Sequence, residues 1–178
     1  MTVLRFFMLL SLVVWVGGIV FCAFVVAPAL FASVPNTHLA GLVVTRSLKA
    51  LHWIGLIAGC VYLLTSFAYA RLTTTSVQPL AARNVLVYLM MSLTVVLQFF
   101  IIPRMDALRL SVGQIDAVAP DNPVRLQFNA LHAWSTRLEG AVLLLGLAVI
   151  YFTARVAVQP RAAVTLTMPA STVMQGGR

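Results

Sequence analysis

Few side chains in this sequence can take part in chemistry, and five of them fall on one edge of a single segment. At about 100° per residue, Arg125, Asn129, His132, Thr136 and Glu139 share a narrow arc of a helix, while Leu131, Trp134 and Leu138 point elsewhere. The segment runs straight into the apolar block 140–154. A carboxylate or imidazole facing lipid costs roughly 2 to 4 kcal/mol even on lenient insertion scales, so this stripe has to turn toward protein or into a wet cavity. Glu139 is then a proton or cation site. The plainer reading makes it half of an ion pair with Arg46, Lys49, Arg104 or Arg125 that fixes its helix against the first connection.

The histidines raise a second chemistry. His52 and His132, if they face each other across a bundle, offer two imidazoles to haem b iron or to a copper ion, with Met91 or Met105 as soft partners for copper. Against a metal, the sequence holds no CxxCH, no HxxxH and no dense Met or Cys cluster. Histidines that bond backbone carbonyls at helix starts are the blander alternative, and His38 falls in a loop and faces solvent. No nucleophile sits beside a base, no glycine-rich loop precedes a helix, and no carboxylates are paired, so hydrolysis and phosphoryl transfer are unsupported. Cys22 and Cys60 lie deep in apolar runs and read as small packing groups.

What must position these groups is a membrane bundle. Of 178 residues, 61% are hydrophobic and only 9% charged, with mean hydropathy +1.00, whereas a soluble domain carries roughly 25% charge. The formal charge of +8 reflects four acids against twelve Lys and Arg. The basic residues are scattered singly between apolar blocks, which suits interfacial anchors and not a nucleic-acid footprint.

Four apolar runs each exceed or approach the ~20 residues that cross a bilayer, with spans at about 5–31, 50–70, 82–102 and 133–155. Pro28 loosens the end of the first helix, and Pro35-Asn36-Thr37 reads as a stop followed by a cap. In the second helix His52, Gly55, Gly59, Tyr62, Ser66 and Tyr69 share a face, and Gly55 with Gly59 makes a GxxxG pair for close helix approach. In the third, Asn84, Tyr88, Met91, Thr94 and Gln98 gather the polar atoms on one side until Pro103 ends it. The stretch 104–121 reads as a partly helical interfacial loop, and Asn122-Pro123 as the cap that launches the fourth helix. Residues 1–155 form one transmembrane domain; 156–178, rich in Pro, Thr, Ser and Gly, form a flexible tail.

The expected fold is therefore all-α, an antiparallel four-helix membrane bundle with both termini on one side. Lys and Arg divide evenly between the two faces, but Asp106, Asp116, Asp121 and Glu139 all lie opposite the termini, which leans the termini toward the cytoplasm. In a bacterium such a chain sits in the inner, plasma membrane as a multi-pass protein. An internal echo suggests two tandem hairpins: Ala50-Leu51-His52-Trp53 resembles Ala130-Leu131-His132-Ala133-Trp134, and Pro28 closes the first helix as Pro103 closes the third. A parallel repeat would bring His52 and His132 to one depth.

The run Trp15-Val16-Gly17-Gly18, then Ala27-Pro28-Ala29-Leu30-Phe31, Ala40-Gly41, Ile102-Pro103-Arg104-Met105-Asp106-Ala107-Leu108-Arg109, and Leu131-His132 with Ser135 resembles the four-span domain of unknown function 4149 family, which includes transmembrane protein 205-like proteins. The resemblance covers residues 5–155. It implies the four-span fold and no assigned biochemistry. In architecture the chain is also distantly similar to copper-resistance D proteins and to haem-containing membrane protoporphyrinogen oxidases, which implies copper or haem as a question and transfers no ligand set. The expected role is the handling of a small solute or ion within the bilayer through a polar site of His52, Gln98, Arg125, Asn129, His132 and Glu139. A haem- or copper-binding redox protein holding the group on His52 and His132 is the first alternative, and a non-catalytic structural or assembly subunit the second. Lipid is the one partner the sequence names; it leaves the oligomeric state open.

Overall fold

The computed structural model describes residues 2–73 and 82–158, apart from the side chains of residue 73 and residues 155–158. The stretch 71–83, which its Thr and Ser run and Pro79 mark as a polar turn, is helical at 71–73 and 82–83 and otherwise lies outside the described residues, as does most of the tail. All the regular structure described is helical: α1 (Thr2–Phe21), α2 (Ala27–Ser33), α3 (Thr37–Thr73), α4 (Ala82–Val96), α5 (Ile102–Val112) and α6 (Pro123–Val158), with a short 3-10 turn at Ile115–Ala117. Four continuous helical rods result, at Thr2–Ser33, Thr37–Leu72, Ala82–Val112 and Pro123–Ala154, each long and apolar enough to cross a bilayer. This is an all-α four-helix bundle of a multi-pass integral membrane protein. Its antiparallel sense follows from side-chain contacts. Arg5 near the start of α1 donates to the Tyr69 hydroxyl near the end of α3, and Tyr62 of α3 meets Thr153 near the end of α6 at 3.1 Å.

The rods outrun the apolar spans because their ends are capped late. Asn36 Oδ1 accepts the backbone N–H groups of His38 at 2.9 Å and Leu39 at 3.3 Å, so α3 starts well before its apolar stretch. Asn122 caps α6 in the same way through the Val124 N–H at 2.9 Å, with Pro123 in the first turn. Both caps are where the sequence puts them. Gly113, with φ of 73°, supplies the left-handed residue that ends α5. The last helix reaches Val158, so the boundary expected at residue 155 falls inside it.

Neither proline ends its helix. In front of each lies a π-helical stretch, Cys22–Val26 before Pro28 and Leu97–Ile101 before Pro103. There the Ala27 N–H bonds to the Cys22 carbonyl and the Ile102 N–H to the Leu97 carbonyl. The wider turn makes room for a ring that an α-helical turn would clash with, so the rod continues. The region expected to be a loop from Arg104 is consequently helical as far as Val112. The two π stretches also repeat the echo seen in the sequence.

The main core joins Met8, Leu12, Trp15 and Val16 of α1 to Tyr62 of α3, Met90 of α4 and Val142 and Val149 of α6. Trp15 is 2% exposed and fills the notch between Gly55 and Gly59: a Cβ on Gly55 would sit 2.3 Å from its Nε1, and one on Gly59 would sit 2.9 Å from its Cζ3. The GxxxG pair thus admits an indole, not a neighbouring backbone. On α4, Asn84 and Thr94 are buried as expected, but Tyr88 is exposed. A second, smaller core of Met105, Ile115 and Phe128 ties α5 and the 3-10 turn to the start of α6, at the end of the bundle opposite the chain's N-terminus.

Candidate functional site

The two cores leave a cavity between them. It has a volume of about 520 Å³, within the usual range for small-molecule sites. Its floor is Glu139, whose stripe-mates Asn129, His132 and Thr136 line one wall. Arg125 is the exception. Its Nη1 donates to the Val118 carbonyl at 2.6 Å, which clamps the 115–118 turn over the cavity and takes the guanidinium out of the site.

Among the described residues Glu139 pairs with no arginine or lysine. Lys49 pairs with Asp106, Arg109 lies 3.8 Å from the same carboxylate, and Arg46 and Arg104 are exposed. The partner of Glu139 is His52, which is 3% exposed, with Nε2 at 3.1 Å from Glu139 Oε2. On its other side His52 Nδ1 is 3.0 Å from Gln98 Oε1. Gln98 comes from the π-helical stretch before Pro103, which aims it inward. Three of the six expected site residues therefore form one chain, Gln98 to His52 to Glu139, contributed by three different rods.

The order of donors and acceptors in this chain allows two proton counts, set by which way the Gln98 amide faces. The Gln98 oxygen only accepts, so Nδ1 carries a hydrogen. A carboxylate also only accepts, so a hydrogen bond between Nε2 and Oε2 needs one further proton, held as imidazolium facing carboxylate or as carboxylic acid facing neutral imidazole. Loss of that proton would leave a lone pair against a negative oxygen. A flip of the Gln98 amide relieves this, because its NH2 then donates to Nδ1 and the single ring hydrogen moves to Nε2. The trio can hold one proton or release it without stranding a buried polar atom.

His132 stands elsewhere. It lies two helical turns, on the order of 10 Å, along α6 from Glu139, and stacks on Phe128 with ring planes 3° apart and centroids at 6.2 Å. Because His52 is level with Glu139, the two histidines sit at different depths and do not face each other. Both ring nitrogens of His52 are taken. Met105 lines the cavity, while Met91 packs at Gly59. Among the described residues no three of His, Cys, Asp and Glu gather. These donors do not fit a copper ion or a haem iron held jointly by His52 and His132.

Some lining residues were not legible in the sequence. Arg109 donates to Thr45 at 3.0 Å and stacks over Phe128 at 4.9 Å, so its charge borders the cavity while its fork is held. His38, expected in solvent, is half-buried and lines the site, as do Asp116 and Cys22. Their gathering depends on α5 continuing through Pro103 and on how the rods turn about their axes, which no local pattern gives.

A family model described as Domain of unknown function (DUF4149) matches residues 10–112. The match runs from within the first rod to the end of the third and stops before α6. No curated protein and no solved structure matches the chain.

Proposed function

The chain belongs to the DUF4149 family, which is defined by sequence and not by an activity, and from its site we propose that it binds a small solute in the cavity above Glu139 and exchanges one proton as it does so. One observation carries the reading: the carboxylate that lines the cavity is also the end of the Gln98–His52–Glu139 chain, at 3.1 Å from His52. A positively charged solute that settles on Glu139 competes with the proton held there. Charge then balances, one positive charge entering as one leaves to bulk water. The other titratable groups around the cavity are His38, His132, Arg109, Asp116 and Cys22. None is hydrogen-bonded or ion-paired to Glu139 among the contacts described. With the termini in the cytoplasm, the cavity lies toward the far side of the membrane.

The test is proton release from purified protein in weak buffer, followed with a pH-indicator dye as small ammonium compounds, carboxylates and neutral solutes are added. Wild type releases a proton with the ammonium compounds and not with the carboxylates or neutral solutes, and Glu139→Gln releases none. Were every class silent with folded wild-type protein, the proton-exchange reading would be lost.

A further inference from the structure

The cavity has unequal walls. Its back is closed: Leu51 of α3 and Ile102 and Met105 of the third rod are all buried. Its two front posts are open. Ala23 and Phe31 on the first rod are exposed, and so are Asn129, His132 and Thr136 on α6. Above, the 3-10 turn roofs it, with Ile115 buried against Met105 and Phe128 and Arg125 clamping the turn. The opening therefore faces sideways, between the end of the first rod and the start of α6.

The two posts differ in chemistry. The first rod offers Ile19, Ala23, Ala27 and Phe31, all apolar; α6 offers Asn129, His132, Ser135, Thr136 and Glu139. A wholly polar solute would leave the first wall unused, and a hydrocarbon would strand the second. Charge decides the head group. The cavity is bordered by two carboxylates, Glu139 and Asp116, against one guanidinium, and that guanidinium is already held by Thr45, Phe128 and Asp106.

Building on the proton-exchange reading, we propose that the occupant is a single-chain amphiphile with a basic head, which slides in from the lipid between the first and last rods and sets its ammonium against Glu139. Its chain lies along Ala23, Ala27 and Phe31.

The experiment places the full-length protein in phosphatidylcholine vesicles with a long-chain primary amine that carries a photoreactive diazirine on its chain. Crosslinks map to the peptides holding Ala23 and Ala27 and those holding Ser135 and Thr136. They fall at least tenfold in Ala23→Trp, which narrows the opening at an exposed position, and in Glu139→Gln. Should Ala23→Trp fail to fold, Ala27→Leu takes its place. Crosslinks spread evenly over all lipid-facing helices, or unchanged in the narrowed variant, would overturn the sideways entry. Stronger labelling by a carboxylate of equal chain length would overturn the basic head. A probe confined to the cleft that releases no proton would keep this inference and sink the proton exchange instead. Proton release by short, water-soluble amines alone would do the reverse.

Discussion

His52 Nε2 and Glu139 Oε2 lie 3.1 Å apart although 87 positions separate them in the chain. The contact joins the second rod to the fourth at the edge of the apolar zone, where a lone carboxylate would be costly. In Glu139→Gln the side chain keeps its shape, and its amide can still bond Nε2, but the site holds one charge fewer. The fold should survive within about 1 kcal/mol, since one hydrogen bond is exchanged for another. Proton release in the dye assay should vanish. A variant that unfolds would show the carboxylate to be a structural ion-pair partner and no more.

The two histidines make opposite predictions. His52 is 3% exposed and bonds on both sides, so His52→Ala leaves Gln98 and Glu139 without their partner. The expected loss is about 1 to 3 kcal/mol from the stranded groups. His132 is exposed and stacks on Phe128 alone, so His132→Ala should leave the unfolding midpoint nearly unchanged. Thermal unfolding of both in one detergent decides. Equal losses would mean that His132 carries a contact beyond the stack.

Much of this is legible in the amino-acid sequence, for physical reasons. Apolar runs of bilayer length and the caps at Asn36 and Asn122 are local signals, and each appears where the sequence has it. His52, Gln98 and Glu139 could be nominated because a polar atom in an apolar run has to face inward. Their mutual pairing could not, since it depends on how three rods rotate about their axes. Arg125 shows the cost of reading by angle alone: it shares the arc of Glu139, yet a carbonyl from a turn only seven residues back captures it. Pro103 misled because a breaking rule assumes an α-helical turn, and a π stretch removes the clash.

Trp15 and the glycine pair give a packing test. The Gly55 Cβ position lies 2.3 Å from the indole nitrogen, so Gly55→Ala forces either the ring or a helix to move. Overpacking of this kind costs about 1 to 3 kcal/mol. A methyl on Gly17 or Gly140 meets nothing within 4 Å. Gly17→Ala and Gly140→Ala should therefore be neutral or mildly stabilising by helix propensity. Unfolding midpoints that fail to separate Gly55→Ala from these controls would mean that the indole can leave its notch freely.

Pro103 has no N–H, and the turn before it is wound wide, with the Ile102 N–H bonded to the Leu97 carbonyl. Pro103→Ala restores a donor that can reach the Phe99 carbonyl, and so favours ordinary α-helical winding through 97–101. Rewinding takes out the extra residue and turns Gln98 away from His52, while helix content barely changes. Gln98 is the group whose amide flip lets His52 lose a proton, so proton release should weaken even though Glu139 is intact. The outcome is read as unchanged circular dichroism with a diminished dye signal. Full proton release in Pro103→Ala would show that the π stretch does not position Gln98 for the exchange. A parallel Gln98→Leu variant, which removes the amide without touching the helix, should reproduce the weakened signal.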